Sequence, residues 1–264
     1  MPAVLAICAH PDDIEFYFAG AMLQLSKRGW DLHYMNLCDG SRGSTTMDQA
    51  TCAATRLREA KNACRVLGAQ HYDPIFPDME AVYTTENLKK VAAVIRQCRA
   101  TIVLTHSPQD YMEDHEVACK LATMAAFCHG MPNLESIPPQ PVYMDPVTVY
   151  HAQPVGGTNG VGEIVRPHFF VDEADVLEAK IQALACHESQ KQWLDESQGL
   201  DSYLATAREI STQMGKMSGK FEFAEGWRRH QHWGLCGPDD DPMVHALADV
   251  IHDTRPHRGS IPIV

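Results

Sequence analysis

Short apolar runs alternate along this chain with longer segments whose apolar residues recur at helical spacing, the pattern of a sheet with helices packed on it. Ala3 to Ala9 is an unbroken apolar run and predicts a strand buried on both sides. Ile14 to Arg28 carries Phe18, Met22 and Leu25 at helical intervals and stops near Gly29, which predicts one helix, and Asp31 to Cys38 alternates as the next strand. Met47 to Leu67 predicts a helix ended by Gly68. Tyr72 to Phe76 predicts a strand closed by the turn-like Pro77-Asp78, and Glu86 to Cys98 another helix. Thr101 to Thr105 is β-branched and apolar; it leads into a polar loop from His106 to Asp114, and a helix begins around His115.

After Pro132 the chain is irregular and proline-rich as far as Pro146, and it resumes as a strand over Val147 to His151. Val155 to Gly160 is glycine-rich but lacks both the G-x-G-x-x-G spacing and a Gly-Lys-Ser/Thr ending, so it is expected to be a mobile loop rather than a phosphate cradle. Ile164 to Val171 reads as extended, Glu173 to His187 as helical, and Gln190 to Met217 as helical with a break at Gly199. From Pro238 onward the chain is acidic, then basic and proline-containing, an arm or tail rather than core. The expectation is a single α/β domain with a Rossmann-like, mostly parallel sheet and helices on both faces. Its core spans residues 1–135, pocket elaborations 136–235 and a C-terminal tail 236–264.

With 264 residues, 45% of them hydrophobic, the chain can bury a full core. A formal net charge of -12 without a basic cluster argues against a nucleic-acid surface. No segment is apolar for long enough to span a bilayer, and Met1 to Ala9 breaks into His10-Pro11 without the flanks of a signal peptide, so no membrane partner is expected. Nine scattered cysteines, never spaced C-x-x-C, fit reduced thiols in a cytoplasmic protein.

His10, Asp12 and Asp13 follow the first strand within four residues, and Asp114-His115 follows a later one. In open α/β sheets ligands bind outside the carboxyl ends of strands, so both loops are expected at one crevice. His10, Asp13 and His115 together make the two-histidine, one-carboxylate set of catalytic zinc, which leaves room for a water; ferrous iron suits the same ligands. Asp12 or Asp13 equally suits the N-cap of the following helix, and Asp114-His115 a helix start.

Ala9-His10-Pro11-Asp12-Asp13 followed by Asp114-His115 resembles the PIG-L, or LmbE-like, family of zinc-dependent N-acetylglucosaminyl deacetylases. Further matches are Asp39 to Ser44, Arg56 and Glu59, Leu67-Gly68, Pro77-Asp78, Lys180, His187 to Gln190, and Phe223 to Glu225. The resemblance implies that His10, Asp13 and His115 bind zinc, and that Asp12 is the general base for a metal-bound water attacking an N-acetyl amide. It also places Arg42, Arg56 and Asp78 around a sugar, with Arg56 equally suited to a salt bridge with Glu59. The substrate class is a small N-acetylated molecule of the N-acetylglucosamine type. An amidase acting on another acylated amine or thiol conjugate, or a glycan-binding protein without turnover, is the alternative, and a homo-oligomer is compatible with the family.

One departure stands out. Many members carry a histidine where this chain has Met112, and a thioether cannot donate a hydrogen bond to an oxyanion. His106, oriented by Asp114, is the expected substitute, with Tyr111 as the second candidate; an ordinary hydrogen-bonded histidine at a strand end is the bland reading of His106. His187 is expected to cap a helix, and His151, His168, His230 and His232 to be ordinary polar residues.

Overall fold

In the computed structural model, which describes residues 1–198 and 203–256, all six residues of β1 (Ala3–Cys8) are buried. The reason is its central place: β2 (Asp31–Asn36) pairs with it in parallel on one side and β4 (Ile102–Thr105) on the other. β3 (Gln70–Tyr72) extends the parallel half beyond β2, and β5 (Thr148–Ala152) extends it beyond β4. Past β5 the sheet turns antiparallel through β7 (Ala224–Arg229), β6 (Phe169–Asp172) and β8 (Ile251–Asp253), giving the order β3-β2-β1-β4-β5-β7-β6-β8.

Helices cover both faces, and the strand pleat decides which residue meets which layer. Val4, Ala6 and Cys8 of β1 join a core with α2 (Ala19–Ser26) and α3 (Gln49–Leu67), while Leu5 and Ile7 join a second core with α4 (Thr85–Cys98) and α5 (Glu113–Cys128). α3 starts at Asp48, whose carboxylate accepts from the Thr51 amide at 2.9 Å, and it stops at Gly68 in the left-handed region, φ 70°.

Several expectations change. The single helix over Ile14 to Arg28 is two, α1 (Asp13–Tyr17) and α2, because Phe18 leaves helical dihedrals (φ -131°, ψ -26°) and packs its ring against His106 and Trp227. The strand expected over Tyr72 to Phe76 is shifted to β3, with Phe76 making one isolated bridge to Cys38. The core does not end at residue 135, since β5, β6 and β7 belong to the same sheet. Nor are residues 236–256 simply a tail: they form α9 (Pro242–Ala246) and the edge strand β8, and Met243 and Leu247 are fully buried. The glycine-rich loop carries a 3-10 turn over Val155–Gly157 and a backbone hydrogen bond from the Asn159 amide to the Glu163 carbonyl at 2.9 Å.

The later helices are α6 (Leu177–Leu184), α7 (Glu188–Gln198) and α8 (Tyr203–Ser218). The break expected at Gly199 lies outside the described residues. No described helix is long and apolar enough to cross a membrane.

Candidate metal centre and active site

β1 and β4 are in register, Ile7 beside Thr105, so the loops that follow them leave the sheet at the same edge. That register brings His10 and Asp13 to His115 across more than a hundred residues. His10 Nδ1 lies 3.3 Å from His115 Nε2 and 3.6 Å from Asp13 Oδ2, and His115 Nε2 lies 3.6 Å from Asp13 Oδ1. One ligand atom from each of the three falls within 4.8 Å of the others, the spacing that a single ion needs.

The outer nitrogens of both rings face carboxylates: His10 Nε2 is 3.0 Å from Asp114, and His115 Nδ1 is 3.2 Å from Asp110. For His10 the contact is a hydrogen bond, and carboxylates placed behind imidazoles in this way suit metal-binding rings, whose orientation and basicity they set. Two other ion-sized groupings, His10-Cys38-Asp114 and His106-Asp110-His115, each borrow one of these histidines together with the carboxylate behind it. The His10-Asp13-His115 set is therefore the better ligand set, because it keeps those carboxylates as supports.

The electrostatics have the same sense. Burial works against a proton on His10, yet Asp114 and Asp13 push its pKa up to about 10. Asp13 is held well below the usual carboxylate range although burial opposes this, because His115, His106 and His10 surround it. Asp13 is thus a carboxylate enclosed by three imidazoles.

Asp12 stands apart from this set. Its backbone is left-handed, φ 110°, a conformation that costs a non-glycine residue about 1–3 kcal/mol and is found where the surroundings enforce it. It occupies the N-cap position of α1 but makes no side-chain capping bond; instead Oδ2 accepts from the Tyr203 hydroxyl at 2.7 Å. Burial, with Asp13 next to it, raises its pKa to about 6. A carboxyl poised there can take up and give back a proton near neutral pH.

Residues 5–127 match the family described as PIG-L, GlcNAc-PI de-N-acetylase. Over 231 residues the chain is 35% identical to the diacetylchitobiose deacetylase of Thermococcus kodakarensis, covering 85% of this chain and 82% of that protein. The chain belongs to the PIG-L family. Two solved structures show the same fold. One is the N,N'-diacetylchitobiose deacetylase of Pyrococcus horikoshii (TM-score 0.71, 25% identity, 86% of this chain and 83% of that one). The other is GalB, the 4-carboxy-2-hydroxymuconate hydratase of Pseudomonas putida (TM-score 0.70, 25% identity, 87% and 96%).

Within this PIG-L fold the remaining expected residues take different places. His106 is buried; its Nε2 accepts from the Ala9 amide at 2.9 Å and lies 3.2 Å from Asp13, while its ring stacks on His115 at 4.1 Å. Asp114 does not orient it, contrary to expectation, because that carboxylate is committed to His10 and to the Met79 amide. Tyr111 is 67% exposed and meets the His115 ring edge-on at 5.6 Å.

Asp78 is buried and accepts from the Gly40 and Arg42 amides at 2.7 and 3.2 Å, so it organises the Asp39 to Ser44 loop. Arg42 donates to the Asp78 carbonyl and pairs with Glu80. Arg56 is buried and reaches the Gly43 carbonyl and Gln190 rather than Glu59, whose carboxylate takes the amide and hydroxyl of Ser189. These contacts clamp the loop to α7. His187 is no simple cap: it is fully buried with Nε2 3.3 Å from Glu15.

Tyr203, Asp110 and Glu15 escaped the sequence reading. Tyr203 is 191 residues from Asp12 and carries no spacing signal. Asp110 could have been suspected as a carboxylate in the loop preceding His115.

Proposed function

We propose that this chain is a metal-dependent hydrolase that removes the acetyl group from a small N-acetylated amino sugar of the N-acetylglucosamine type. The observation that carries the reading is the juxtaposition of a two-histidine, one-aspartate donor set with Asp12, a buried carboxyl whose pKa is raised to about 6. His10, Asp13 and His115 would hold a divalent ion, zinc or ferrous iron, which when bound supplies a Lewis acid that acidifies water and polarises a carbonyl. The two imidazoles, each with a carboxylate beside its outer nitrogen, fit that donor chemistry.

Asp12 is the general base. Tyr203 occupies Oδ2, so proton transfer falls to the other oxygen. Water loses a proton to Asp12 as its oxygen bonds to the acetyl carbon; the C–N bond then breaks, and Asp12 returns the proton to the leaving amine, giving acetate and a free amine. Tyr111 is the donor for the oxyanion in place of the histidine absent at Met112. His106 is the weaker candidate, because its Nε2 already accepts from Ala9; its role is to hold the His115 ring, on which it stacks.

The hydratase relative makes hydration of an unsaturated polycarboxylate the competing chemistry. Against a polyanion, Asp12, Asp13, Asp110 and Asp114 crowd this site, and Arg42 and Arg56, which could add to the charge of a bound metal, are engaged with the loop. The test is metal analysis followed by an acetate-release screen over N-acetyl sugars, before and after chelation. Release that disappears with the metal and returns on reloading supports the proposal. Fully metal-loaded protein that frees no acetate, but hydrates an unsaturated dicarboxylate, overturns it.

A further inference from the structure

Beside the metal centre runs a cleft of about 230 Å³, walled by Phe16 and Tyr17 of α1, by the Pro154 to Ile164 loop and by Met214 and Met217 of α8. Both walls touch the site. Phe16 meets the ring of Tyr203, whose hydroxyl holds Asp12, at 5.2 Å edge to face. Tyr17 is pushed up in pKa, by burial first and then by the nearby charges of Asp13, Asp110 and Asp12. On the opposite wall the Val155 amide donates to Asp110, the carboxylate behind His115, at 3.4 Å.

The volume is below the roughly 300–1,000 Å³ that drug-sized ligands occupy, so it suits one ring. Aromatic and methionine side chains make a wall for an apolar or aromatic group, and the flexible thioethers adapt to its shape. Lys180 and Glu225 also line the cleft, but they are paired with each other. Gln153 is different. It is 6% exposed, and neither its amide nitrogen nor its amide oxygen has a hydrogen-bond partner among the described residues. A buried amide without partners is destabilising, and a site that binds ligand is where such a cost is recovered.

We infer that this cleft receives the aglycone of the N-acetylated substrate, a neutral, mostly apolar ring carrying one hydrogen-bonding group that pairs with Gln153. The inference rests on the deacetylase reading, and it narrows the substrate from a bare amino sugar to a conjugate of one.

Three β-glycosides of N-acetylglucosamine test it: methyl, phenyl and 4-hydroxyphenyl. Burying the phenyl ring raises kcat/KM over the methyl glycoside by about tenfold or more. Met217→Trp, which fills the cleft from its rim, brings the phenyl-to-methyl ratio close to one. Gln153→Leu removes the added preference for 4-hydroxyphenyl over phenyl without lowering Tm. A fall in Tm with that preference intact would make Gln153 a framework residue and overturn its part in the inference.

A second arm separates this inference from the reading beneath it. Phenyl β-glucoside, which carries no acetamide, is followed by saturation-transfer NMR against the wild type and Met217→Trp. Equal turnover of methyl and phenyl glycosides, with the same phenyl saturation transfer in wild type and variant, overturns the cleft and leaves the deacetylase standing. Phenyl saturation transfer that depends on Met217, without acetate release from any glycoside, supports the cleft and overturns the deacetylase.

Discussion

At the cluster of Glu173, Lys180 and Glu225, the ammonium lies 2.8 Å from one carboxylate and 2.9 Å from the other, and Glu225 also accepts from the amides of Gly20 and Ala21 at the start of α2. Around the metal centre, by contrast, Asp12, Asp13, Asp110 and Asp114 face two ligand imidazoles, His106 and a tyrosine hydroxyl. Both clusters are buried, and both contain residues that resemble family positions. One draws its positive charge from its own lysine and is a framework device; the other holds imidazoles, which in the proposed function would give up their protons to a metal. Burying charge is thus not a mark of function by itself. What distinguishes the candidate site is that its carboxylates face imidazoles and a hydroxyl instead of a lysine.

Substitution of the base is the largest effect expected. Asp12→Asn lowers kcat by about 10²–10⁴-fold with metal content retained, read from acetate release beside metal analysis, and a rate within tenfold of wild type would remove Asp12 from the mechanism. On the framework side, Lys180→Met leaves two carboxylates buried without their cation and costs about 3–5 kcal/mol of stability in a denaturant titration. Metal content of the folded fraction is expected to stay the same; if metal were lost instead, the two clusters would not be separable.

Next come the two candidates for the place left by Met112. Tyr111→Phe should lower kcat by about a hundredfold at constant metal affinity. His106→Ala should weaken metal binding by about 10–100-fold because it removes the ring stacked on His115, and a competition titration with a chelator distinguishes the two. The reverse pattern would restore His106 as the oxyanion donor.

The smallest effect is a slope with pH. Burial raises the Glu173 pKa to about 7, more than Lys180 offsets. Folding thus favours its protonated form, so its stabilising contribution is complete below the unfolded carboxyl range and is lost as pH rises through about 7. Glu173→Gln should flatten the fall of Tm between pH 5 and pH 8, and an unchanged slope would assign that titration elsewhere.

Much of this was legible in one dimension, for a local reason. The unbroken apolar run over Ala3 to Ala9 marks a central parallel strand, and β1 is buried along its whole length. His10, Asp12 and Asp13 are close in sequence and must be close in space. The break at Phe18 was hidden because its apolar spacing is as good as that of a continuous helix, and only packing against His106 and Trp227 shows where the ring goes. The C-terminal strand β8 was hidden because three residues beside prolines and charges carry too little pattern.

The sequence by itself therefore determined the α/β class and the residue types that can hold a metal, since these depend on local pattern and on side-chain chemistry. Only the tertiary structure decided which carboxylate supports which histidine, that Tyr203 holds Asp12, and that Arg56 and Asp78 clamp a loop. Those partnerships join residues tens to nearly two hundred positions apart. Such pairs arise from sheet register and helix packing, and nothing in the spacing along a chain encodes a contact that two separate elements make only when they meet.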